Sequence, residues 1–290
     1  MEFSRLDARK TFEEYVERYD ASNPRIALKV EHTYRVANLC DRIAQSLDLS
    51  PDDVDLAWLC GLLHDIGRFE QLRRWDTFRD AESANHATLG LQVLDGLDPA
   101  TGLGSIPSID PAANLGSSPS PAATPSSATG SLPTFAPHPA WTPIIREAVA
   151  QHNALRLTDD LDPRTRTFCN IVRDADKVDI LRVFSTSSCE DVLKRTPDQF
   201  LHGHISDLAM RGVTDHRCLG PADKEADLDG LVGIMCLPFE LVFPASKDAL
   251  REKGYLRQAL QRPFGLNTNF ASEDTHTKWH ILAGELSAYC

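Results

Sequence analysis

The chain has 290 residues, of which 25% are charged, and a formal net charge of −12. This composition is that of an ordinary globular protein, long enough for one large domain or two small ones. The acidic balance disfavours non-specific binding to nucleic acid or anionic lipid, and no apolar run approaches the roughly 18 residues of a membrane span. We therefore expect no membrane partner. The charge of any phosphorylated substrate must be met locally by a cation or a few basic side chains.

The seven cysteines are scattered along the chain without any CxxC pair. An odd number of dispersed thiols favours a reducing compartment over a disulfide framework or a zinc ribbon. The acidic, helically patterned N-terminal residues match neither a signal peptide nor a transit peptide. Together these features predict a cytoplasmic location.

Apolar residues recur at helical spacing through most of the chain, and no alternating β-branched run calls for a sheet. The first clear helix is expected to begin after Asn23 and to end near Leu47, and Ser50 caps the next one, which is expected to end at Gly67. Further helices are expected over 81–95, 142–152, 164–183, 228–242, 246–261 and 275–288. The predicted fold class is therefore all-α.

Residues 99–140 differ from the rest, with nine prolines, eight serines and a single charged residue, Asp110. Such a segment has no apolar face that could repay the entropy of ordering it. We interpret it as a flexible insertion in a single domain of residues 1–290, because the polar motif begun before it finishes after it. A linker between two domains is the alternative. Residues 186–290 are expected to form a C-terminal helical extension that closes the site.

Several predicted helices turn one metal-competent side chain towards their apolar face. The doublet His64-Asp65 ends the apolar stretch "WLCGLL", where the helix dipole favours a cation. Burying unpaired charge costs several kcal/mol, so a metal ion is the natural compensation. The remaining candidates lie at helical spacing from apolar neighbours: His32, His86, His152 and Asp176. Imidazole and carboxylate together suit Mn, Fe, Co, Ni, Zn or Mg with bound water.

The order of these residues resembles the HD superfamily of metal-dependent phosphohydrolases. His32 comes first, the doublet follows in "LLHDIGRF", and an aspartate follows in "DADKVDIL". The resemblance covers roughly residues 24–95 and 141–185. It implies an HD-domain-like helical bundle, interrupted by a long disordered Pro/Ser-rich insertion.

The resemblance also implies a ligand set of His32, His64, Asp65 and Asp176 for a divalent metal ion. Asp174 and Asp179 lie close to the last of these. Asp176 is preferred because the family's distal ligand follows a small residue in an "AD" pair, and because its helical position agrees.

His86 and His152 resemble two extra histidines that some HD enzymes place between the doublet and the last aspartate. They imply either a second metal ion, bridged to the first by Asp65, or donors to a substrate phosphate beside one metal. Packing between helices is the third interpretation. We favour two metals per chain.

Three residues are expected to take part in the reaction that the resemblance implies. Asp65 would orient or deprotonate the attacking water. Arg68 would hold phosphate oxygens or, alternatively, the carbonyls at a helix end. Lys177 would contact the substrate or pair with Asp174 or Glu70.

The implied activity is hydrolysis of a phosphomonoester or phosphodiester by metal-activated water. The expected partner is a small phosphorylated substrate, nucleotide-like in character. Two alternatives stay open: a di-iron oxygenase of the same fold, and a nucleotide-sensing module that binds without turnover.

Overall fold

The computed structural model describes residues 3–96, 132–136 and 138–290, and the regular structure in these ranges is entirely helical. The all-α prediction is confirmed. Contacts between Cα atoms divide the chain into two compact units, Met1–Arg173 and Asp174–Cys290. Within the described ranges, every helix is too short or too polar to cross a membrane.

The described residues of the first unit form seven α-helices and the beginning of an eighth. They are α1 (Arg5–Val16), α2 (Pro24–Ser46), α3 (Pro51–Leu63), α4 (Gly67–Trp75), α5 (His86–Leu94), α6 (Leu132–Phe135), α7 (Thr142–Gln151) and the N-terminal part of α8 (Pro163–Thr186). Every residue of α3 from Leu56 to Leu63 is buried, as its apolar sequence predicts.

Helices α2 and α3 begin where their capping residues predict. The side chain of Asn23 accepts a hydrogen bond from the Arg25 backbone N–H at 3.0 Å. That of Ser50 accepts one from the Asp53 N–H at 3.2 Å. In both helices a proline follows the cap, where its missing N–H leaves no bond unmade.

Gly67 does not end a helix, contrary to the expectation from sequence. Helix α3 ends at Leu63, a short turn follows, and Gly67 begins α4. A Cβ on Gly67 would lie 2.3 Å from the carbonyl oxygen of His86 and 2.4 Å from the backbone nitrogen of Gly90. A glycine is therefore needed here for the close approach of α4 and α5. This approach places the turn after α3 beside the start of α5.

Most of the predicted insertion, residues 99–131 with Pro137, lies outside the described residues. Its C-terminal end was predicted wrongly as flexible. Helix α6 forms there, and the side chains of Leu132 and Phe135 are buried. Two buried apolar side chains are enough to anchor this end. The average composition of the whole segment gives no indication of them.

The second unit holds the remainder of α8 and seven further helices. They are α9 (Cys189–Leu193), α10 (Pro197–Leu201), α11 (Asp207–Thr214), α12 (Asp229–Met235), α13 (Pro244–Lys253), α14 (Tyr255–Gln261) and α15 (Glu273–Glu285). The helix expected over 246–261 is two helices, because Gly254 adopts a left-handed conformation with φ of 66°. The helix expected over 228–242 gives way to a 3-10 turn at Leu237–Glu240, where Pro238 lacks a backbone donor.

Three buried carboxylates of the second unit have donors close at hand. Asp229 accepts hydrogen bonds from backbone N–H groups of residues 206, 225 and 226 at 2.8–2.9 Å. Asp174 accepts from the N–H groups of residues 242 and 243 at 2.9 Å. Asp179 pairs with Arg182 at 2.8 and 3.0 Å. These carboxylates therefore hold the unit together by satisfied contacts. The closing role expected of residues 186–290 stays a prediction.

Candidate metal centre

The turn between α3 and α4 places His64 and Asp65 side by side in the interior of the first unit. Backbone hydrogen bonds from Ile66 to Leu63 at 3.1 Å and from Arg68 to the Asp65 carbonyl at 2.9 Å define the turn. The phenol of the buried Tyr15 donates to the Ile66 carbonyl at 3.1 Å. His64 is 0% exposed and Asp65 is 3% exposed.

Four buried histidines surround the carboxylate of Asp65, two at each oxygen. The Nε2 atoms of His86 and His152 each lie 3.5 Å from Oδ1. The Nε2 atoms of His32 and His64 each lie 3.6 Å from Oδ2. The rings of His64 and His152 link the two pairs, with centroids 5.2 Å apart. The structure thus brings together five of the side chains predicted from sequence.

The outer ring nitrogen of three of these histidines contacts an acceptor. Nδ1 of His64 lies 2.7 Å from the Gly61 carbonyl oxygen, and Nδ1 of His152 lies 2.8 Å from that of Val149. Nδ1 of His86 lies 2.7 Å from Asp80 Oδ2. A carbonyl or carboxylate oxygen only accepts, so Nδ1 carries the proton in each ring. In the neutral form Nε2 then presents a lone pair to the interior, which is the arrangement of a metal-binding imidazole.

Asp80 fixes His86 and is itself held by a polar network. Gln71 Nε2 donates to Asp80 Oδ1 at 2.9 Å, and Arg68 donates to the same oxygen at 3.1 Å. Burial raises the pKa of Asp80, but the hydrogen bond and charge of His86 outweigh it and lower the pKa to about 2. Burial, reinforced by Arg68, lowers the pKa of His86 to about 3. His86 is therefore a neutral ring at neutral pH, as a metal ligand must be.

Asp65 is held as a carboxylate by the positive charges beside it. Its Oδ2 lies 2.6 Å from Lys29 Nζ, and its Oδ1 lies 3.4 Å from Arg68 Nε. Burial raises the pKa of Asp65, but Lys29, His64, His152 and Arg68 together hold it well below its usual range. The group at the centre of the histidines is thus an anion with two oxygens facing nitrogen atoms.

The facing nitrogens indicate what fits between them. His86 Nε2 lies 2.9 Å from His152 Nε2, and His64 Nε2 lies 3.3 Å from His32 Nε2. Two lone pairs at such a distance repel unless a proton or a metal ion lies between them. Asp65, His86 and His152 place one donor atom each within 4.8 Å of the others, close enough to hold one ion. The donor set of imidazole and carboxylate suits a divalent first-row metal.

The position of His152 depends on a buried arginine of α8. Arg173 donates to the carbonyl oxygens of Gln151 at 3.1 Å and Leu155 at 3.2 Å, and also to that of Ala154. These carbonyls follow the end of α7, where cations are favoured by the helix dipole. Arg173 therefore fixes the turn from which His152 points inward.

Among the three aspartates considered for the last ligand, two are committed elsewhere. Asp174 accepts from two backbone N–H groups, and Asp179 pairs with Arg182. Asp176 follows the buried Val172 on the same helix by one turn. These contacts support the preference for Asp176, whose part in the site stays a prediction.

The two basic residues predicted to act in the site have partners that the sequence did not indicate. Arg68 does not end a helix; it lies in the first turn of α4 and donates to the Phe78 carbonyl at 2.6 Å. Lys177 contacts Glu240 at 3.5 Å, a partner outside the predicted alternatives. Its charge also acts on the Asp174 carboxylate, and its pairing with Asp174 or Glu70 stays a prediction. Whether either residue contacts a substrate stays a prediction.

Sequence reasoning missed Lys29, Asp80 and Gln71. Lys29 precedes His32 by three residues and so shares its helical face, which was a usable signal. Asp80 begins a short 3-10 turn and Gln71 lies on α4, and no periodicity links either residue to His86.

The comparisons with known proteins agree with this geometry. Residues 30–114 match the family model of the HD domain, a range that includes His32, the doublet and His86. His152 and Asp176 lie outside the matched range. No curated protein and no solved structure matches the chain. Residues 30–114 of the chain therefore carry an HD domain.

Proposed function

We propose that this protein is a metal-dependent phosphohydrolase that cleaves a small phosphomonoester or phosphodiester, nucleotide-like in character. The observation that carries the proposal is the pair of facing histidine nitrogens on each side of the Asp65 carboxylate. The HD domain supports it, because that family consists mostly of metal-dependent hydrolases.

In this proposal His86, His152 and Asp65 hold one divalent ion, and His32, His64 and Asp65 contribute to a second. Asp176 is the predicted further ligand. A divalent cation bound there polarises a phosphoryl oxygen and lowers the pKa of coordinated water. The identity of the metal among Mn, Fe, Co, Ni, Mg and Zn is left to experiment.

The side chains at the proposed metal centre have separate roles. Asp65 lies at the centre of the site, where its carboxylate orients the attacking water or takes up its proton. Asp80, held by Gln71 and Arg68, keeps His86 correctly turned, while burial and the charge of Arg68 keep its ring neutral. A positive side chain beside Asp65 neutralises the charge that develops on the phosphoryl oxygens.

A substrate panel tests the proposal. The protein is stripped of metal, reloaded with each of the six ions in turn, and assayed for phosphate release from nucleotides and from other phosphomonoesters and phosphodiesters. We expect turnover with at least one ion, and none in the matched variant Asp65→Asn. Absence of turnover by protein that holds its metal would refute the proposal, and nucleotide binding under those conditions would favour a sensing module.

One observation favours a second candidate. Four imidazoles around one carboxylate form a donor set that iron also binds, which suits a di-iron oxygenase. Tight retention of iron, an optical spectrum that changes with oxygen, and oxygen uptake without phosphate release would support that function instead.

A further inference from the structure

Two cationic side chains flank Asp65, and they differ in their other contacts. Lys29 Nζ lies 2.6 Å from Oδ2, and Arg68 Nε lies 3.4 Å from Oδ1. Both cations also lie over the ring of Phe78, at 5.4 and 5.8 Å from its centroid. A phosphate entering near Asp65 therefore meets two candidate partners.

One terminal nitrogen of the Arg68 guanidinium is committed to the protein, whereas its Nε has no hydrogen-bond partner among the described residues. That terminal nitrogen donates to the Phe78 carbonyl at 2.6 Å, to Gln71 Oε1 at 2.8 Å and to Asp80 Oδ1 at 3.1 Å. These acceptors belong to the network that turns His86 into the site. Moving Arg68 onto a phosphate would break the support of a candidate metal ligand.

The ammonium of Lys29 can donate further hydrogen bonds. It carries three N–H donors, and Asp65 is the one acceptor found for it among residues 3–96, 132–136 and 138–290. Its side chain is 17% exposed, much like the 16% of Arg68, whereas that of Asp65 is 4% exposed, so the ammonium stays accessible to a ligand beside a buried carboxylate. A metal ion held by the histidines also neutralises Asp65 and thereby weakens the attraction between Asp65 and Lys29.

We propose that Lys29 binds the phosphate of the substrate, and that Arg68 is a positioning residue for Asp80 and His86. The inference rests on the proposed function, because it assumes a phosphorylated ligand at the metal centre. It assigns to Lys29 the phosphate contact that the sequence analysis predicted for Arg68.

Inorganic phosphate tests the inference without requiring turnover. Manganese-loaded wild type, Lys29→Met and Arg68→Met are titrated with phosphate in a calorimeter, and metal affinity is measured separately. Hydrogen bonds to charged groups contribute roughly 1.5–3 kcal/mol, so Lys29→Met should weaken phosphate binding at least about tenfold. Its metal content should stay at the wild-type level, and Lys29→Arg should restore most of the phosphate affinity.

Arg68→Met should show the opposite pattern. Loss of a residue that orients a metal ligand lowers metal affinity by about 10–100-fold, whereas phosphate affinity at saturating manganese should stay unchanged. Arg35→Met is the control for net charge, since Arg35 lies on the same helix as Lys29 but pairs with Glu31 at the surface. It should change neither quantity.

Two results would overturn the inference: phosphate affinity unchanged in Lys29→Met, or phosphate affinity lost in Arg68→Met at saturating manganese. If Lys29→Met lacks the helical circular dichroism of the wild type, Lys29→Gln replaces it in the titration and the same criteria apply. Phosphate binding that depends on Lys29 in a protein without turnover would refute the hydrolase function but leave the role of Lys29 intact.

Discussion

Asp65 in the first unit and Asp229 in the second are both buried carboxylates, and their neighbours differ in kind. Asp229 faces backbone N–H groups, which can only donate. Asp65 faces four histidine nitrogens, at least three of which present lone pairs when the rings are neutral. A buried carboxylate among donors is complete, whereas the histidine lone pairs beside Asp65 call for a cation in addition to Lys29 and Arg68. Burial alone therefore says less about function than the polarity of the surrounding atoms.

The largest expected effect separates these two carboxylates directly. Asp65→Asn should lose metal and turnover while keeping its helical circular dichroism, because the fold does not depend on that charge. Asp229→Asn should keep metal and turnover, but it places an amide where N–H donors converge, at a cost of about 1–3 kcal/mol in the free energy of unfolding. Elemental analysis and urea unfolding of both variants measure the contrast. Equal metal content in the wild type and Asp65→Asn would contradict the predicted difference between the two carboxylates.

The number of metal ions depends on the two histidine pairs. Double substitution of His86 and His152 by alanine should lower the metal content from two ions per chain to one, and the same change at His32 and His64 should do likewise. Metal retained with a raised KM would instead identify His86 and His152 as phosphate donors. Unchanged metal content and kinetics would return them to a packing role.

Glycine substitutions compare packing in the two units. Gly67→Ala forces a methyl group against the backbone of α5 and should destabilise the first unit by about 1–3 kcal/mol or more. A Cβ atom at Gly230, on α12, would have no atom of another side chain or element within 4 Å. Gly230→Ala should therefore be neutral or stabilising by up to about 1 kcal/mol. Chemical unfolding measures both. A neutral Gly67→Ala would contradict the close approach of α4 and α5.

The acid stability of the second unit should depend on Asp229. Burial raises its pKa, but N–H donors from Ser206, Ala226 and Glu225, with the Ser206 hydroxyl, outweigh burial and lower the pKa. A carboxyl whose pKa is lower in the folded state stabilises the protein above its unfolded pKa of about 3.9 and loses that contribution as the pH falls. Urea midpoints between pH 7 and pH 3 should therefore decline less in Asp229→Asn than in the wild type. Parallel declines would show that Asp229 does not contribute.

The smallest effect is expected in the Pro/Ser-rich segment. Replacing residues 99–131 by a short Gly/Ser loop should leave Tm and turnover unchanged, since loop length affects closure entropy only weakly. Residues 132–136 are retained because Leu132 and Phe135 are buried. Phe135→Ala serves as the contrasting variant and should cost about 3–5 kcal/mol. Loss of turnover in the loop replacement would show that the segment takes part in function.

Much of the site could be predicted because helical periodicity fixes which face a residue lies on. His32, His86 and His152 each share a face with apolar neighbours, so their inward direction could be inferred before the helices were placed together. The doublet His64-Asp65 was recognisable at the end of an apolar stretch.

The rest could not be predicted because it depends on how helices meet. Gly67 looked like a helix end, since a glycine that permits a close crossing has the same sequence signature as one that terminates a helix. Asp80 reaches His86 from a short 3-10 turn, and only the folded chain brings them together. Lys29 was overlooked because a lysine three residues before a histidine is usually a solvent-facing charge.

Anomalous diffraction from crystals loaded with manganese tests the central claim most directly. Data collected at the manganese edge should show two peaks per chain, one near Asp65 Oδ1 with His86 and His152, the other near Oδ2 with His32 and His64. The peaks should be absent from crystals of Asp65→Asn grown and loaded in the same way. Crystals of metal-saturated wild type with no anomalous peak beside Asp65 would contradict the assignment of a metal centre.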